Sequence, residues 1–252
     1  MPNASHHTPH VATGLMWFRR DLRAFDNAAL YHALKSCKQV HCVFVFDKAI
    51  LDALPRQDRR VEFIRESLVA LDAELHAVAG QAGAGLIVRH AVAADEVPRL
   101  AQELKVQEVF ANHDDEPDAL ARDARVRGAL AERGIGFQTF KDHVIFERSE
   151  VMTQSGTAYG VFTPYKKAWL QKVNDFYLKS YPVGKYIKTL APRPAAYQVG
   201  VPTLADLGFE PTNLSSLHVP TGSPGGLALF EDFFDRMDRY DHARDFPAIK
   251  GP

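Results

Sequence analysis

The feature that most constrains the fold of this chain is an alternation of short apolar runs with longer amphipathic segments, beginning at Gly14. Short apolar runs are typical of buried strands, and helical segments between them favour parallel strands joined by crossovers. We therefore predict an α/β fold built on a five-stranded, doubly wound parallel sheet of the Rossmann-like type. The five runs are Gly14 to Phe18, Val40 to Asp47, Gly85 to His90, Glu108 to His113 and Phe137 to Phe140.

Four helical segments separate these runs, and the clearest extends from Arg59 to Val78. Its apolar residues recur every three or four positions, as expected for a helix that buries one face. The segment after the first run carries Leu30 and Leu34, and we expect Asp26 to cap it. A third helix carries Val97, Leu100 and Leu104, and a fourth spans about Asp118 to Glu132, with Asp118 as its expected cap.

The pattern divides the chain into four parts. We expect residues 1–12 to form a disordered tail and residues 13–144 to form the α/β domain. Residues 145–225 are rich in proline and glycine, which predicts a long irregular linker. In residues 226–252 a helix from Gly226 to Tyr240 has one apolar side, and we interpret it as the first helix of a helical domain that is truncated here. That side carries Leu227, Phe230, Phe234 and Met237.

Composition excludes several classes of protein. The 30 basic and 31 acidic residues give a net charge of −1, so no global charge draws the chain to nucleic acid or membranes. No apolar stretch approaches the ~20 residues of a membrane helix, and the start lacks the pattern of a secretory signal. The only cysteines, Cys37 and Cys42, are too few for a disulfide framework, which favours a cytoplasmic location. Oligomeric state stays open.

Common catalytic templates are absent. The glycine-rich GQAGAG at Gly80 to Gly85 has the wrong order for a dinucleotide fingerprint and precedes a strand, so we interpret it as a loop. We predict no catalytic residue and no metal site.

Polar residues do collect where strands end, which is where open α/β sheets bind ligands. The candidate residues are Arg20 and Asp21 after the first strand, Phe46 and Asp47 at the end of the second, and Asp114 and Glu116 after the fourth.

Five strings, in order, resemble the DNA photolyase and cryptochrome family, and together they cover nearly the whole chain. The first is the family's opening run, and VFTPYKKAWL is especially like bacterial class I photolyases that repair cyclobutane pyrimidine dimers. The strings are MWFRRDLRAFDNAAL (16–30), VFVFDKAIL (43–51), NHDDEPDALARD (112–123), VFTPYKKAWL (161–170) and YDHARDFPAIKGP (240–252).

The resemblance implies that this α/β half holds a light-harvesting antenna chromophore. The full-length family member would be a deoxyribodipyrimidine photolyase, a carbon–carbon lyase in which excited reduced FAD donates an electron to a dimer in UV-damaged DNA. FAD would lie mostly in the absent half, with Tyr240 as an incomplete part of its site, so the fragment alone is expected to be inactive.

The resemblance does not by itself identify the antenna chromophore. Folate-binding members carry an Asn-Glu pair where this chain has Asp118 and Ala119, and the DDEP string at Asp114 to Pro117 is more like members that bind a flavin-type molecule. This favours 8-hydroxy-5-deazaflavin or FMN over methenyltetrahydrofolate. The six strand-end residues named above would form its site.

Two alternative functions stay open. The first is a cryptochrome blue-light receptor, which shares these motifs. The second is a free-standing nucleotide-binding α/β protein of the universal-stress or electron-transfer-flavoprotein kind, which would leave the apolar helix at Phe230 without a core to enter. For the repair function, the sequence does not distinguish a cyclobutane dimer from a (6-4) product as the substrate.

Overall fold

A computed structural model of the protein describes residues 9–246 and 248–249. Its strands are β1 (Val11–Phe18), β2 (Cys37–Asp47), β3 (Leu86–Ala91), β4 (Glu108–Asn112) and β5 (Gly136–Phe140). They form one sheet in the order β3-β2-β1-β4-β5. The chain therefore moves outward from β1 through β2 and β3, then resumes on the other side of β1 with β4 and β5. The predicted five-stranded parallel sheet of the Rossmann-like class is confirmed.

Strand register brings the ends of β1, β4 and β5 to one edge. In the parallel pairs, Gly14 lies opposite Glu108, and Glu108 lies opposite Gly136. Gly14 is required by close packing, because a Cβ atom there would lie 2.6 Å from the Sγ of Cys37. Residues that follow these three strands can consequently meet.

Eight α-helices occur in the described chain. The predicted helix from Arg59 to Val78 is confirmed as α3 (Arg59–Ala79). Asp58 caps the start of this helix. Gly80 follows its last residue and adopts the left-handed conformation, with a φ of +59°. The helices are α1 (Ala28–Ser36), α2 (Lys48–Leu51), α3 (Arg59–Ala79), α4 (Ala93–Glu103), α5 (Pro117–Ala131), α6 (Phe162–Lys172), α7 (Gly222–Phe234) and α8 (Tyr240–Ala243).

Two compact units make up the chain. The first contains the residues up to Val43 together with Ala94–Ala191, and the second contains Phe44–Ala93 and the residues from Pro192. Each has its own buried apolar side chains, which supply the main driving force for folding. These include Leu15, Trp17, Phe18 and Phe110 in the first unit, and Leu68, Leu75, Leu86 and Ile87 in the second.

Local details differ from expectation near the start of the chain. Strand β1 begins at Val11, inside the expected tail of residues 1–12, of which residues 1–8 lie outside the described chain. Asn27, not Asp26, caps α1 by accepting from the backbone N–H of Leu30, while Asp26 accepts from the N–H of Tyr181. Asp118 lies in the first turn of α5 and is not its cap.

The expected linker, residues 145–225, contains more regular structure than its composition indicates. Helix α6 lies within it, and short 3-10 turns such as Val183–Lys185 and Ala205–Leu207 follow. No residue of α6 is fully buried, although Tyr165 and Trp169 are half-buried and the ring of Trp169 meets that of Phe146 edge-on at 5.6 Å.

The last predicted helix is shorter and begins earlier than expected. Helix α7 starts at Gly222 and ends at Phe234, and the expected continuation to Tyr240 is interrupted by a 3-10 turn at Met237–Arg239. Its first turn packs on α3, where the N–H of Gly222 donates to the Oγ of Ser67. Its apolar side chains at Leu227, Phe230 and Phe234 are more than half exposed.

Both cysteines are free and buried, and burial raises the pKa of Cys37 to about 12. Within the described ranges, no helix is both long and apolar enough to cross a membrane.

Candidate functional site

A crevice of about 430 Å³ lies at the carboxyl ends of β1, β4 and β5. The strand order reverses between β1 and β4, and such reversal points are where open α/β sheets form ligand crevices, because the connections leave in opposite directions. Its walls are residues that follow the three strands: Arg20 after β1, His113 to Pro117 after β4, and Asp142 to Val144 with Glu147 after β5.

Arg20 connects the two acidic candidates at this edge. Its Nη2 lies 2.9 Å from Oε1 of Glu116, and its Nε lies 3.7 Å from Oδ2 of Asp114. The hydrogen bond with Glu116 raises the pKa of Arg20, with added contributions from the charges of Asp114 and Glu116 and an opposing one from burial. Asp114 is buried, whereas Arg20 and Glu116 are exposed. The structure therefore brings three of the six predicted residues together.

Asp21 lies near the same edge but does not line the crevice. Its carboxylate is buried and accepts hydrogen bonds from the backbone N–H of Arg19 at 2.9 Å and from the side-chain amides of Asn27 at 3.1 Å and Asn112 at 2.5 Å. Asn112 in turn accepts from the N–H of Ala29. Asp21 thus joins the end of β1 to the end of β4, and its contact with a ligand stays a prediction.

Phe46 and Asp47, at the end of β2, belong to the other compact unit. Asp47 is buried and accepts from the backbone N–H groups of Ala49 and Ala93, both at 3.1 Å, so it positions the starts of α2 and α4. Phe46 is 2% exposed and packs edge-on against Phe44. Neither residue lines the crevice.

Tyr240, the predicted FAD contact, is the first residue of α8. It is 44% exposed, and its ring meets that of Phe233 edge-on at 6.0 Å.

Sequence reasoning missed the four crevice residues that follow β5, namely Asp142, His143, Val144 and Glu147. Asp142 accepts from Arg23 and from the backbone N–H of Ala28, both at 2.8 Å. Glu147 holds the Nδ1 of His113 at 2.8 Å, and the Nε2 of that ring lies 3.1 Å from Thr139. The signal that could have found them is their position, two to seven residues after the end of a parallel strand.

The strand order and the polar crevice at its reversal point define a Rossmann-like α/β domain of the kind that binds a ligand at its strand ends. The model of the DNA photolyase family matches residues 14–185, and the chain belongs to that family.

Named relatives agree with this assignment. The deoxyribodipyrimidine photo-lyase of Vibrio cholerae is 32% identical over 94% of this chain and 50% of its own length. Cryptochrome-1 of Mus musculus is 25% identical over 87% of this chain and 36% of its own. The chain spans about half the length of the curated photolyases it matches.

Solved structures give the same result. The class III photolyase of Agrobacterium tumefaciens superimposes with a TM-score of 0.78 at 26% identity, covering 99% of this chain and 50% of that one. The archaeal photolyase of Sulfolobus tokodaii, solved with two FAD molecules and an implied novel light-harvesting cofactor, gives 0.54 at 31% identity, covering 64% and 35%.

Proposed function

We propose that this chain is the light-harvesting domain of a deoxyribodipyrimidine photolyase and that its antenna chromophore binds in the crevice. One observation carries the proposal: a chain of the photolyase family has a polar crevice of about 430 Å³ at the reversal point of its sheet. That volume is within the ~300–1,000 Å³ typical of small-molecule sites. An antenna chromophore transfers excitation energy through space, so it has to be held at a fixed distance and orientation. A rigid binding site at the ends of the strands meets that requirement.

A flavin-type ring, 8-hydroxy-5-deazaflavin or FMN, is the chromophore we favour over methenyltetrahydrofolate. Arg20, Asp114 and Glu116 line the crevice and offer polar partners for the edge of such a ring. Asp118 and Ala119 occupy the positions of the folate-binding pair, and Ala119 is buried without any side-chain hydrogen-bonding group. FAD in the Sulfolobus tokodaii relative supports flavin binding in the family more broadly.

We propose repair activity only for a protein that contains both halves of the photolyases to which this chain is similar, of which this chain spans one. There, reduced FAD would supply the electron that splits a dimer in UV-damaged DNA, and the α/β half would only collect light. Tyr240 is proposed to contact FAD once that half is present. The chain alone is expected to repair no DNA.

Absorption spectra of the purified chain, recorded after separate additions of folate, deazaflavin and FMN, test the antenna site. We expect a shifted band for a flavin-type ring. Val144→Trp should abolish it, because Val144 lines the crevice and an indole there would fill the space. Val161→Trp is the matched control, since Val161 is 64% exposed and lies outside the crevice. Unchanged binding in Val144→Trp, or no binding of any chromophore, would overturn the proposal.

A cryptochrome function is the alternative, and it shares the fold. The photolyase of Vibrio cholerae is more similar to this chain than mouse Cryptochrome-1 is, at 32% against 25% identity. Light-dependent loss of cyclobutane dimers from irradiated DNA, assayed with a protein containing both halves, separates repair from signalling. A (6-4) substrate assayed in parallel identifies the lesion.

A further inference from the structure

A basic and aromatic surface lies on the first compact unit, at and after helix α6. Residues 159–188 contain six lysines and a single acidic residue, Asp175, although the chain as a whole carries a net charge of −1. A local excess of one charge creates a field that attracts ligands of the opposite charge. The exposed part of this region, which we call the α6 surface, consists of Phe162, Lys166, Lys167, Leu170, Phe176 and Lys179.

Helix α6 turns one side toward the protein and the other toward solvent. Trp169 is half-buried, and its ring meets that of Phe146 edge-on at 5.6 Å. Phe162, Lys166 and Leu170 are exposed and follow one another at intervals of four residues. Residues spaced in this way lie along one side of a helix, so the exposed side of α6 presents a lysine between two apolar side chains.

Phe146 also anchors the turn that follows α6. Tyr177 packs on it with the ring centroids 4.8 Å apart, and Phe176 meets Tyr177 edge-on at 5.3 Å. Phe176 nevertheless remains 80% exposed, and Phe162 remains 72% exposed. Apolar side chains grouped at a surface are typical of an interaction site, because a ligand that covers them removes apolar area from water.

The lysines of the α6 surface are not committed to carboxylates. Within the part of the chain that the structure describes, Lys166, Lys167 and Lys179 have no ion pair. Arginines elsewhere are paired, as Arg20 is with Glu116 at 2.9 Å. An anion can therefore bind these lysines without breaking an existing ion pair.

Single-stranded nucleic acid fits this combination of groups. Such strands bind where basic side chains follow the phosphates and aromatic rings stack on unpaired bases. A membrane fits less well, because a helix that lies in a membrane interface presents a continuous apolar face. On α6, Lys166 interrupts that face between Phe162 and Leu170, which are about 12 Å apart along the helix axis.

We propose that the α6 surface binds single-stranded nucleic acid, with its lysines on phosphates and with Phe162 and Phe176 stacked on bases. None of its residues lines the crevice, so the inference does not depend on the antenna function proposed above. The α/β half would then hold a strand in addition to collecting light, and repair would still require the other half.

The lysines are tested by titrating the full chain into labelled oligo(dT) of about 20 nucleotides and following fluorescence anisotropy. Three phosphate contacts predict a slope of about −2 for the logarithm of affinity against the logarithm of salt concentration. The double variant Lys166→Gln, Lys167→Gln should reduce the slope to about −0.7 and weaken binding at least about tenfold at about 0.05 M salt. Lys38→Gln with Lys105→Gln removes the same charge from exposed lysines outside the surface and should keep the parent slope.

Phe162→Ala separates stacking from charge. Loss of one stacked base should weaken binding about tenfold and leave the salt slope unchanged. Phe25→Ala is the matched control, since Phe25 is 55% exposed and lies outside the surface, and it should bind as the parent does. Circular dichroism spectra equal to that of the parent establish that each variant is folded.

Two further probes identify the partner. A poly-glutamate peptide of similar length has charge but no bases and should bind at least about tenfold more weakly than oligo(dT). Phosphatidylserine vesicles should bind more weakly than oligo(dT) as well.

Several results would overturn the inference. They are no oligo(dT) binding at about 0.02 M salt, or equal binding by the parent and the Lys166→Gln, Lys167→Gln variant. Equal binding of poly-glutamate would make the surface a site for acidic chains in general, and tighter binding of vesicles would make it a membrane site. Chromophore binding in the crevice is measured separately, so a failure of either proposal is distinguished from a failure of the other.

Discussion

At the scale of single residues, strand-end position predicted three residues that line the crevice, but not the direction in which each side chain points. Arg20, Asp114 and Glu116 line the crevice, whereas Asp21, two positions from Arg19 on the same turn, faces inward. Its carboxylate receives three donors, which compensates for its burial. The difference is set by backbone direction after β1, which composition and spacing do not encode.

Replacing Asp21 tests this structural role. Asp21→Ala leaves the Arg19 N–H and the Asn27 and Asn112 amides without their acceptor, and we expect a loss of about 2–4 kcal/mol in the free energy of unfolding. Glu132→Ala, which removes an exposed carboxylate, should change it by less than about 0.5 kcal/mol. Urea denaturation followed by circular dichroism measures both, and equal effects would contradict the assignment.

At the scale of elements, helices that bury an apolar stripe were predictable and exposed helices were not. Helix α3 buries Val61, Leu68, Leu71 and Leu75 at helical spacing and carries both of its end signals, Asp58 and Gly80. Helix α6 has no fully buried residue, and its Tyr165 and Trp169 are half-buried. Phe162, Tyr165 and Trp169 have helical spacing, but the prolines and glycines of the surrounding segment predicted irregular structure there.

The cap of α3 provides a test at this scale. Asp58 accepts from the N–H of Arg60 at 2.8 Å, so Asp58→Ala should lower the free energy of unfolding by about 1 kcal/mol. Asp58→Asn should retain most of the stability, because the Asn amide oxygen caps equally well. Thermal or urea unfolding distinguishes the two variants, and an Asn variant as unstable as the Ala variant would argue against capping.

At the scale of the whole molecule, histidines in both units link stability to pH. Burial lowers the pKa of His32, His41 and His90 below the usual 6.5. In His32 the ring stacks on Phe140 at 4.3 Å and meets Tyr31 and Tyr181 edge-on. These rings resist protonation only while the protein is folded.

The pH dependence follows in sign from these shifts. At pH values well above 6.5 the three rings are neutral in both the folded and the unfolded state, and their full contribution to stability is present. As pH falls below 6.5 the unfolded chain takes up protons first, so the free energy of unfolding should fall, by up to about 1.4 kcal/mol per pH unit for each extra proton.

His32→Phe measures this linkage, since it keeps the stacked ring and removes the proton site. Its unfolding free energy should depend less on pH between about 7 and 5 than that of the parent chain. His242→Phe, at a ring with 84% of its side chain exposed, should leave the slope unchanged. An identical slope for His32→Phe and the parent would contradict the assigned shift.

The sequence by itself determined the fold class, because alternating apolar runs and amphipathic segments leave a parallel sheet wrapped by helices as the arrangement that buries them all. It also placed Arg20, Asp114 and Glu116 at strand ends. Only the tertiary structure decided that Asp142 and Glu147 complete the crevice and that Asp21 and Asp47 serve as internal anchors. Strand order and side-chain direction bring together residues more than 90 positions apart, such as Arg20 and Glu116, and no local pattern carries that information.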